Sequence, residues 1–222
     1  MWDRSQCPTC GHGLRWHELI PIVSFIVQYA RCRACHSHIS VQYPLVEAAA
    51  GGLSLTAVWI AGVSIEALLL AVVFFLFVFI FVYDLQHTII PNSWVYTAVL
   101  IAFLLMFVSG NSVVIFNPAF RILTTAGIFA FFFLLWYLTG GQSMGLGDGK
   151  LAASIGLLLP PIQAVSAVVL SFWIGAGVSL LWMAHQRITQ SEETLTMKTQ
   201  IPFGPFLIIG YLLVAVFEIS LF

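Results

Sequence analysis

Charged residues are scarce in this chain, because only 8% of its 222 residues are Asp, Glu, Lys or Arg. A soluble domain carries roughly 25% charged residues, whereas 60% of this chain is hydrophobic. The shortage excludes a soluble enzyme with a single anchor and predicts an all-α polytopic membrane protein in contact with lipid. The chain also lacks a basic stripe and has a net charge of −1, so we expect no nucleic acid partner.

Long apolar segments fill most of the chain after residue 43. A transmembrane helix needs about 20 mostly apolar residues. Segments of this kind, one of them short, lie at 44–63, 65–83, 94–109, 121–140, 150–160, 161–184 and 204–222. We therefore predict about seven transmembrane helices in a membrane domain at 44–222, preceded by a polar module at 1–43. The Pro160-Pro161 pair marks the turn between the fifth and sixth helices.

The few basic residues fix the expected orientation in the membrane. Cytoplasmic loops carry an excess of Lys and Arg. If residues 1–43 are cytoplasmic, seven basic residues fall on that side, and only Arg121 falls on the other. The seven are Arg4, Arg15, Arg31, Arg33, Lys150, Arg187 and Lys198. We therefore expect a multi-pass protein of the cytoplasmic membrane with its N-terminal module inside.

Cysteine is absent after residue 35, and the four cysteines form two C-x2-C pairs, Cys7 with Cys10 and Cys32 with Cys35. Four thiolates complete a tetrahedral zinc site, and a closed shell of this kind is structural rather than catalytic. The alternative is two disulfides, which a reducing cytoplasm disfavours. A module of ~40 residues has too little core to fold alone, so bound metal supplies its folding free energy.

Acidic residues number only nine, and two of them stand at the edges of apolar segments. Asp84 ends one apolar run and precedes a loop that contains Pro91, while Asp148 lies in Gly145-Leu-Gly-Asp-Gly-Lys150. Ionisable groups at membrane depth are costly and indicate function. Each acid also has a plainer interpretation, Asp84 as a solvated helix end and Asp148 as a helix cap. Because both fall on the cytoplasmic side, we favour a catalytic pair.

Two neighbouring carboxylates cannot both ionise easily, so one stays protonated. The ionised carboxylate takes a proton from water, and the protonated one polarises the scissile carbonyl. This chemistry is that of an aspartyl protease. The pair titrates as a unit, so the proton is not assigned to either residue.

Several motifs together resemble the bacterial type IV prepilin peptidases, which belong to the GxGD group of intramembrane aspartyl proteases. They run in order along nearly the whole chain: CPTC, GHGLRWHELIPIVSF, RCRACHSHIS, QYPLVEAAAG, YDLQHTIIPN, GLGDGKLAASIG and IPFGPFLIIG. The resemblance implies that Asp84 and Asp148 are catalytic and that the four cysteines bind zinc. It also implies that the substrates are prepilins or type II secretion pseudopilins, cut after a Gly at the cytoplasmic face.

Many members of that family then methylate the new N-terminus with S-adenosylmethionine. In this chain that activity rests on resemblance alone, with the associated region extending from the zinc module to about residue 50. Glu47, within QYPLVE, matches a position linked with methylation. The plainer interpretation of Glu47 is an acid at a helix start, which the helix dipole favours.

One departure from the family concerns the start of the chain. Prepilin peptidases usually have a further transmembrane helix before the first cysteine pair, whereas Cys7 stands near the beginning here. That helix is either absent or not included in this sequence. Two other functions are open: a membrane assembly protein with a zinc module and no protease activity, and a proton-coupled transporter. The sequence does not reveal the oligomeric state.

Overall fold

A computed structural model describes residues 5–108, 118–142, 144–189 and 202–221 of the chain. Regular structure in these residues is helical throughout, apart from two isolated β-bridges near the N-terminus. The predicted all-α class is confirmed. The chain divides into two compact units, Met1–Leu55 and Thr56–Phe222.

Within the described residues, a short 310 helix at Trp16–Glu18 and the five-residue helix α1 at Val23–Val27 precede seven longer helices. The seven are α2 Gln42–Ala61, α3 Ile65–His87, α4 Asn92–Val108, α5 Pro118–Thr139, α6 Leu146–Leu158, α7 Pro161–Thr189 and α8 Gly204–Phe217. They correspond one to one with the seven predicted segments. The turn predicted at Pro160-Pro161 is also confirmed, since α6 ends at Leu158 and α7 begins at Pro161.

Four of these helices are long and apolar enough to cross a membrane, namely α2, α3, α5 and α7 up to His185. Helices α4 and α8 are also apolar but shorter. Several apolar helices in one chain make this a multi-pass membrane protein. The polar connection predicted at 185–203 begins later than expected, because α7 continues to Thr189, and residues 190–201, which include Lys198, lie outside the described residues.

Two helix ends differ from the prediction, and both differences involve an aspartate. Helix α3 continues to His87, where Thr88 ends it in a left-handed conformation with φ 52°. Helix α6 begins at Leu146, four residues before the predicted apolar segment. The reason is that hydropathy marks where apolar residues stop, whereas backbone hydrogen bonding decides where a helix stops. Both aspartates consequently lie inside helical turns.

The Thr56–Phe222 unit is built around α6 and α8, which contact each other. Helix α6 also packs against α4 and α5, and α8 also packs against α3 and α7. Aromatic contacts fill the space between α3 and α8, where the rings of Phe77 and Tyr211 meet edge-on with centroids 5.4 Å apart. This packing brings the C-terminal end of α3 and the N-terminal ends of α6 and α8 into one region.

Candidate active site and metal site

Asp84 lies in the last turn of α3, where only 3% of the residue is exposed. Its Oδ2 accepts a hydrogen bond of 3.1 Å from the backbone N–H of Gly204, a residue 120 positions away in the chain. Gly204 is the first residue of α8, and the N–H groups of a first helical turn have no partner within the helix. The end of one helix and the start of another are therefore joined through the carboxylate.

Asp148 is the third residue of α6 and is also buried, at 8% exposure. Its Oδ2 accepts a hydrogen bond of 3.2 Å from the backbone N–H of Gly145, the residue that caps the helix. The interpretation of Asp148 as the helix cap is therefore wrong, because Gly145 occupies the cap and Asp148 stands three residues later, inside the first turn. A carboxylate at this position also interacts favourably with the helix dipole.

Ile90 lies between the two aspartate-bearing regions. A Cβ atom added at Gly147 would be 3.0 Å from the Cβ of Ile90, and one added at Gly204 would be 3.2 Å from its Cδ1. Both glycines therefore contact the same isoleucine side chain. Since Gly147 precedes Asp148 and Gly204 binds Asp84, the two carboxyl groups belong to one site and interact electrostatically.

The loop after α3 is fixed against the start of α6 by Lys150. The Nζ of Lys150 donates a hydrogen bond of 2.7 Å to Oδ1 of Asn92, and it lies 4.9 Å from the centroid of the Tyr96 ring. Asn92 begins α4, directly after the loop that contains Ile90. This hydrogen bond holds the start of α4 against the start of α6, near the two aspartates.

The chemical capacity of this region follows from the burial of two acids. Carboxylates removed from water and placed near each other retain one proton between them. One group can then accept a proton while its neighbour donates one. The residues that contact this region supply glycine backbone, from Gly145 and Gly204, and the branched apolar side chain of Ile90.

The four cysteines of the N-terminal unit converge as predicted. They come from two similar loops, in which the first cysteine carbonyl accepts a hydrogen bond from the residue after the second cysteine, Gly11 or His36. These two residues have φ values of 69° and 58°. An isolated bridge closes each loop, joining Gln6 to Gly13 and Arg31 to His38. The unit therefore contains a structural repeat that the sequence analysis did not identify.

The sulfur atoms have the separation that a tetrahedral metal site requires. All four lie within 4.8 Å of one another, with Cys7 and Cys35 3.9 Å apart and Cys10 and Cys32 4.0 Å apart. Zinc–sulfur bonds of about 2.3 Å in a tetrahedron place sulfurs roughly 3.8 Å apart. The cysteines are free thiols, so the disulfide alternative is not what the structure contains. The cluster can hold a metal ion.

The local environment favours thiolates at two of these positions. The backbone N–H groups of Cys10 and Thr9 lower the pKa of Cys7 to about 6. The hydroxyl of Ser37, 3.1 Å from Sγ of Cys35, lowers the pKa of that thiol. The thiols of Cys35, Cys7 and Cys32 and burial together raise the pKa of Cys10 to about 12, against the backbone of His12, so the metal-free cluster keeps a proton there. The thiolate is the form that binds metal, and Cys7 and Cys35 reach it most easily.

Glu18 is a buried acid whose position the sequence analysis did not anticipate. It is 7% exposed, and its Oε2 accepts a hydrogen bond of 2.8 Å from the backbone N–H of Arg15. His12 lies 3.5 Å away on one side and Arg33 3.8 Å away on the other. The Arg15 N–H is the main cause of the lowered pKa of Glu18, so its carboxylate stays ionised and joins the two cysteine loops.

Glu47 lies in α2, and its Oε2 accepts a hydrogen bond of 2.7 Å from the backbone N–H of Ile22. Ile22 has a φ of 61°, which is unfavourable for a β-branched residue. The carboxylate therefore holds the chain between the cysteine pairs in a strained conformation beside α2. Glu47 belongs to the Met1–Leu55 unit, whereas Asp84 and Asp148 belong to the Thr56–Phe222 unit.

Gly204 and Ile90 are site residues to which the sequence analysis assigned no role. One signal was present, because Pro202-Phe-Gly-Pro205 predicts a rigid, non-helical start to the last helix. Which side chain that start would meet depends on the packing of α3 against α8. No local pattern encodes that contact.

Comparisons with known proteins match two family models to this chain. Residues 1–61 match the model of the bacterial peptidase A24 N-terminal domain. Residues 68–180, which are 113 of the 222, match the model of the type IV leader peptidase family. No solved structure matches the chain.

Curated relatives have the name prepilin leader peptidase/N-methyltransferase. The protein of Pseudomonas putida is 30% identical over 93% of this chain and 69% of its own length. The protein of Burkholderia pseudomallei strain 1026b is 34% identical over 93% of this chain and 65% of its own length. The protein of Pectobacterium carotovorum is 31% identical over 94% of this chain and 72% of its own length. The chain therefore spans about two thirds of the length of these relatives. With one family model matching half of its residues and relatives at this identity, the chain belongs to the type IV leader peptidase family.

Proposed function

We propose that this protein is a membrane-embedded aspartyl endopeptidase that removes the leader from type IV prepilins or type II secretion pseudopilins. The observation that carries the proposal is the pair of buried carboxyl groups, Asp84 and Asp148, on either side of Ile90. The names of the relatives support the same substrate class.

The proposed reaction uses one proton shared by the two aspartates. The ionised carboxyl removes a proton from water, and the resulting hydroxide attacks the scissile carbonyl carbon. The protonated carboxyl polarises the carbonyl oxygen, and a proton then passes to the leaving amine as the C–N bond breaks. The hydrogen bond from Gly204 orients the Asp84 carboxylate, and the one from Gly145 orients Asp148.

The substrate must present extended backbone to this pair, because a helical segment hides its amide in internal hydrogen bonds. Gly145 and Gly147 carry no side chain beside Asp148, and the short loop between α3 and α4 is non-helical beside Asp84. We infer that the scissile segment unwinds there. The same site would serve each substrate that carries a suitable leader.

Both aspartates are proposed to lie at the cytoplasmic face of the inner membrane. The charge distribution supports this orientation, since seven of the eight basic residues fall on the side of the N-terminal module. Water is available at that boundary for hydrolysis. We propose residues 1–43 as a cytoplasmic zinc module and 44–222 as the membrane protease domain.

We propose zinc as the metal of the four-cysteine cluster. Cys7, Cys10, Cys32 and Cys35 would hold it, and the ion would supply cross-linking of the two loops rather than catalysis. Four thiolates leave no open coordination position for a substrate. The four sulfur ligands support this metal over hard cations, which prefer oxygen ligands.

We also propose that the protein methylates the new N-terminus with S-adenosylmethionine. This activity rests on the names of the relatives and on the region from the zinc module to about residue 50. Glu47 is the residue of this chain that we assign to it. By holding the backbone of Ile22, its carboxylate positions the segment between the cysteine pairs.

Replacing either aspartate by asparagine should lower prepilin cleavage at least about a hundredfold, because general acid–base catalysis of this kind contributes 10²–10⁴-fold. Asparagine retains the size and a hydrogen-bond acceptor of the native residue, so insertion and thermal unfolding should change little. Cleavage is measured by mass analysis of a prepilin incubated with the purified protein. Glu66→Gln, at the opposite end of α3 from Asp84, is the matched control and should cleave normally. Retained cleavage in Asp84→Asn or Asp148→Asn contradicts the mechanism.

Gly204→Ala should lower cleavage by up to about a hundredfold by displacing the Asp84 carboxylate, since misplacements of about 1 Å have effects of this size. The added methyl group would lie 2.6 Å from Asp84 Oδ2 and 3.2 Å from Ile90 Cδ1. Gly177→Ala makes the same change in α7, where nothing lies within 4 Å, and should retain activity. Equal cleavage by the two variants would mean that the Gly204 contact does not position Asp84.

The purified protein should contain one zinc ion per chain, measured by elemental mass spectrometry. Cys32→Ser should lose the metal because three thiolates do not close the tetrahedral shell. His38→Ala, a change at an exposed histidine of the same unit, should keep it. Full zinc content in Cys32→Ser would exclude the four-thiolate site.

Glu47→Gln should leave cleavage intact but lower the methylated share of the product roughly tenfold, because a charged acceptor strengthens its hydrogen bond by about that factor. Mass analysis of one reaction with S-adenosylmethionine reports both steps. Glu18→Gln, in the same unit, tests whether any loss of a buried or half-buried charge has the same effect. Unchanged methylation in Glu47→Gln removes Glu47 from the proposal and leaves the protease assignment untouched.

A further inference from the structure

A basic pocket in the N-terminal unit lies outside both the metal site and the aspartate pair. Its cavity volume is about 220 Å³. The residues that line it are His12, Arg15, His17, Glu18, Arg33 and Ala34. Two arginines and two histidines therefore surround one acid.

The single acid of the pocket is already engaged. The Glu18 side chain is only 2% exposed. Its carboxylate accepts a hydrogen bond from the Arg15 backbone N–H and lies next to the side chains of His12 and Arg33. The Arg33 side chain in contrast is 51% exposed, and its Nη1 lies 3.3 Å from Nε2 of His17. Arg15 is exposed as well. The accessible part of the pocket is thus cationic and suited to an oxyanion, for which guanidinium groups provide paired donors.

The chain that lines this pocket also carries an apolar surface. Trp16, next to Arg15, is 79% exposed, and the exposed fractions of Val23, Ile26 and Val27 are 53%, 65% and 59%. Leu19, Ile20 and Ile22 are exposed in the same stretch. We call residues 16–27 the apolar segment. A contiguous exposed surface of this kind marks a contact with lipid or with another protein.

The apolar segment is tied to the first membrane helix of the chain. Ile22 donates its N–H to Glu47 of α2, and α2 is one of the four helices able to cross a membrane. Glu47 is only five residues after the start of that helix at Gln42. The segment is therefore held beside the end of a membrane span, where a bilayer surface is the adjacent medium.

From these contacts we propose that the basic pocket binds the headgroup phosphate of an anionic phospholipid while the apolar segment lies in the bilayer interface. The guanidinium groups of Arg15 and Arg33 bind the phosphate, and Trp16 occupies the headgroup level that tryptophan prefers. A free anion would satisfy the pocket but would leave the apolar segment exposed to water. The proposal does not depend on the protease activity or on methylation.

The test uses the full chain in nanodiscs whose lipids carry bromine on their acyl chains. Nanodiscs of phosphatidylcholine alone are compared with nanodiscs that also contain phosphatidylglycerol. The Trp16→Phe variant isolates the Trp16 fluorescence from that of the other six tryptophans. Quenching of Trp16 should be strong and should increase when phosphatidylglycerol is present. Because both lipid mixtures are tested on the unaltered pocket, this comparison holds even if a pocket variant fails to fold.

Binding of the headgroup is tested by native mass spectrometry of phosphatidylglycerol retained by the protein. The double variant Arg15→Gln/Arg33→Gln should retain it roughly thirtyfold less well, the scale expected for removing two basic groups near an anionic surface. Arg31→Gln removes one exposed charge of the same unit that does not line the pocket, and it should bind normally. Zinc content of each variant reports whether the unit remains folded.

Three results would overturn the proposal. One is that Trp16 fluorescence is quenched in neither of the two lipid mixtures. Another is equal phosphatidylglycerol retention by the double variant and Arg31→Gln. The third is binding of inorganic phosphate to the pocket without lipid retention, which would identify a site for a soluble anion.

Discussion

The hydrogen bond from the Gly204 backbone to the Asp84 carboxylate is the contact on which the arrangement of the site depends. It joins the last turn of α3 to the first turn of α8 across 120 residues, at 3.1 Å. A buried carboxylate without a partner is costly, and an unpaired N–H at the start of a buried helix is also unfavourable. Each group therefore satisfies the other. The absence of a side chain at Gly204 is what permits the approach, since any Cβ would meet the carboxylate oxygen and Ile90.

The same contact explains why the second aspartate is close by. Ile90 follows α3 by three residues and contacts both Gly204 and Gly147. Its side chain therefore packs between the start of α8 and the start of α6. Lys150 then links α6 to α4 through Asn92. The loop that carries Ile90, the two glycines and Lys150 together hold Asp148 where its carboxyl group interacts with that of Asp84. Two acids that would each be unfavourable alone become a pair able to share a proton.

The N-terminal unit follows a different physical principle, because it contains little buried apolar surface. Cys7 and Cys32 are its buried hydrophobic residues among those before α2, and the two cysteine loops are joined through Glu18. Charge pairing, together with a four-cysteine cluster that can hold a metal ion, thus stands in place of a hydrophobic core. The apolar residues of this unit face outward instead, in the segment beside α2. In a soluble protein that distribution would be unfavourable, whereas beside a membrane span it matches the surroundings.

The sequence by itself determined the helices, the four-cysteine cluster and the two aspartates of the membrane domain, Asp84 and Asp148. Long apolar segments, paired C-x2-C spacing and isolated aspartates are local patterns, and each has one physically favoured outcome in a membrane protein. It did not determine the helix ends at His87 and Leu146, because backbone hydrogen bonding rather than hydropathy sets them. Only the tertiary structure decided that Gly204 binds Asp84, that Ile90 separates the two aspartate regions, and that Glu18 is buried between two cysteine loops. These contacts join residues far apart in the chain, and their partners are selected by the packing of whole helices and loops rather than by neighbouring residues.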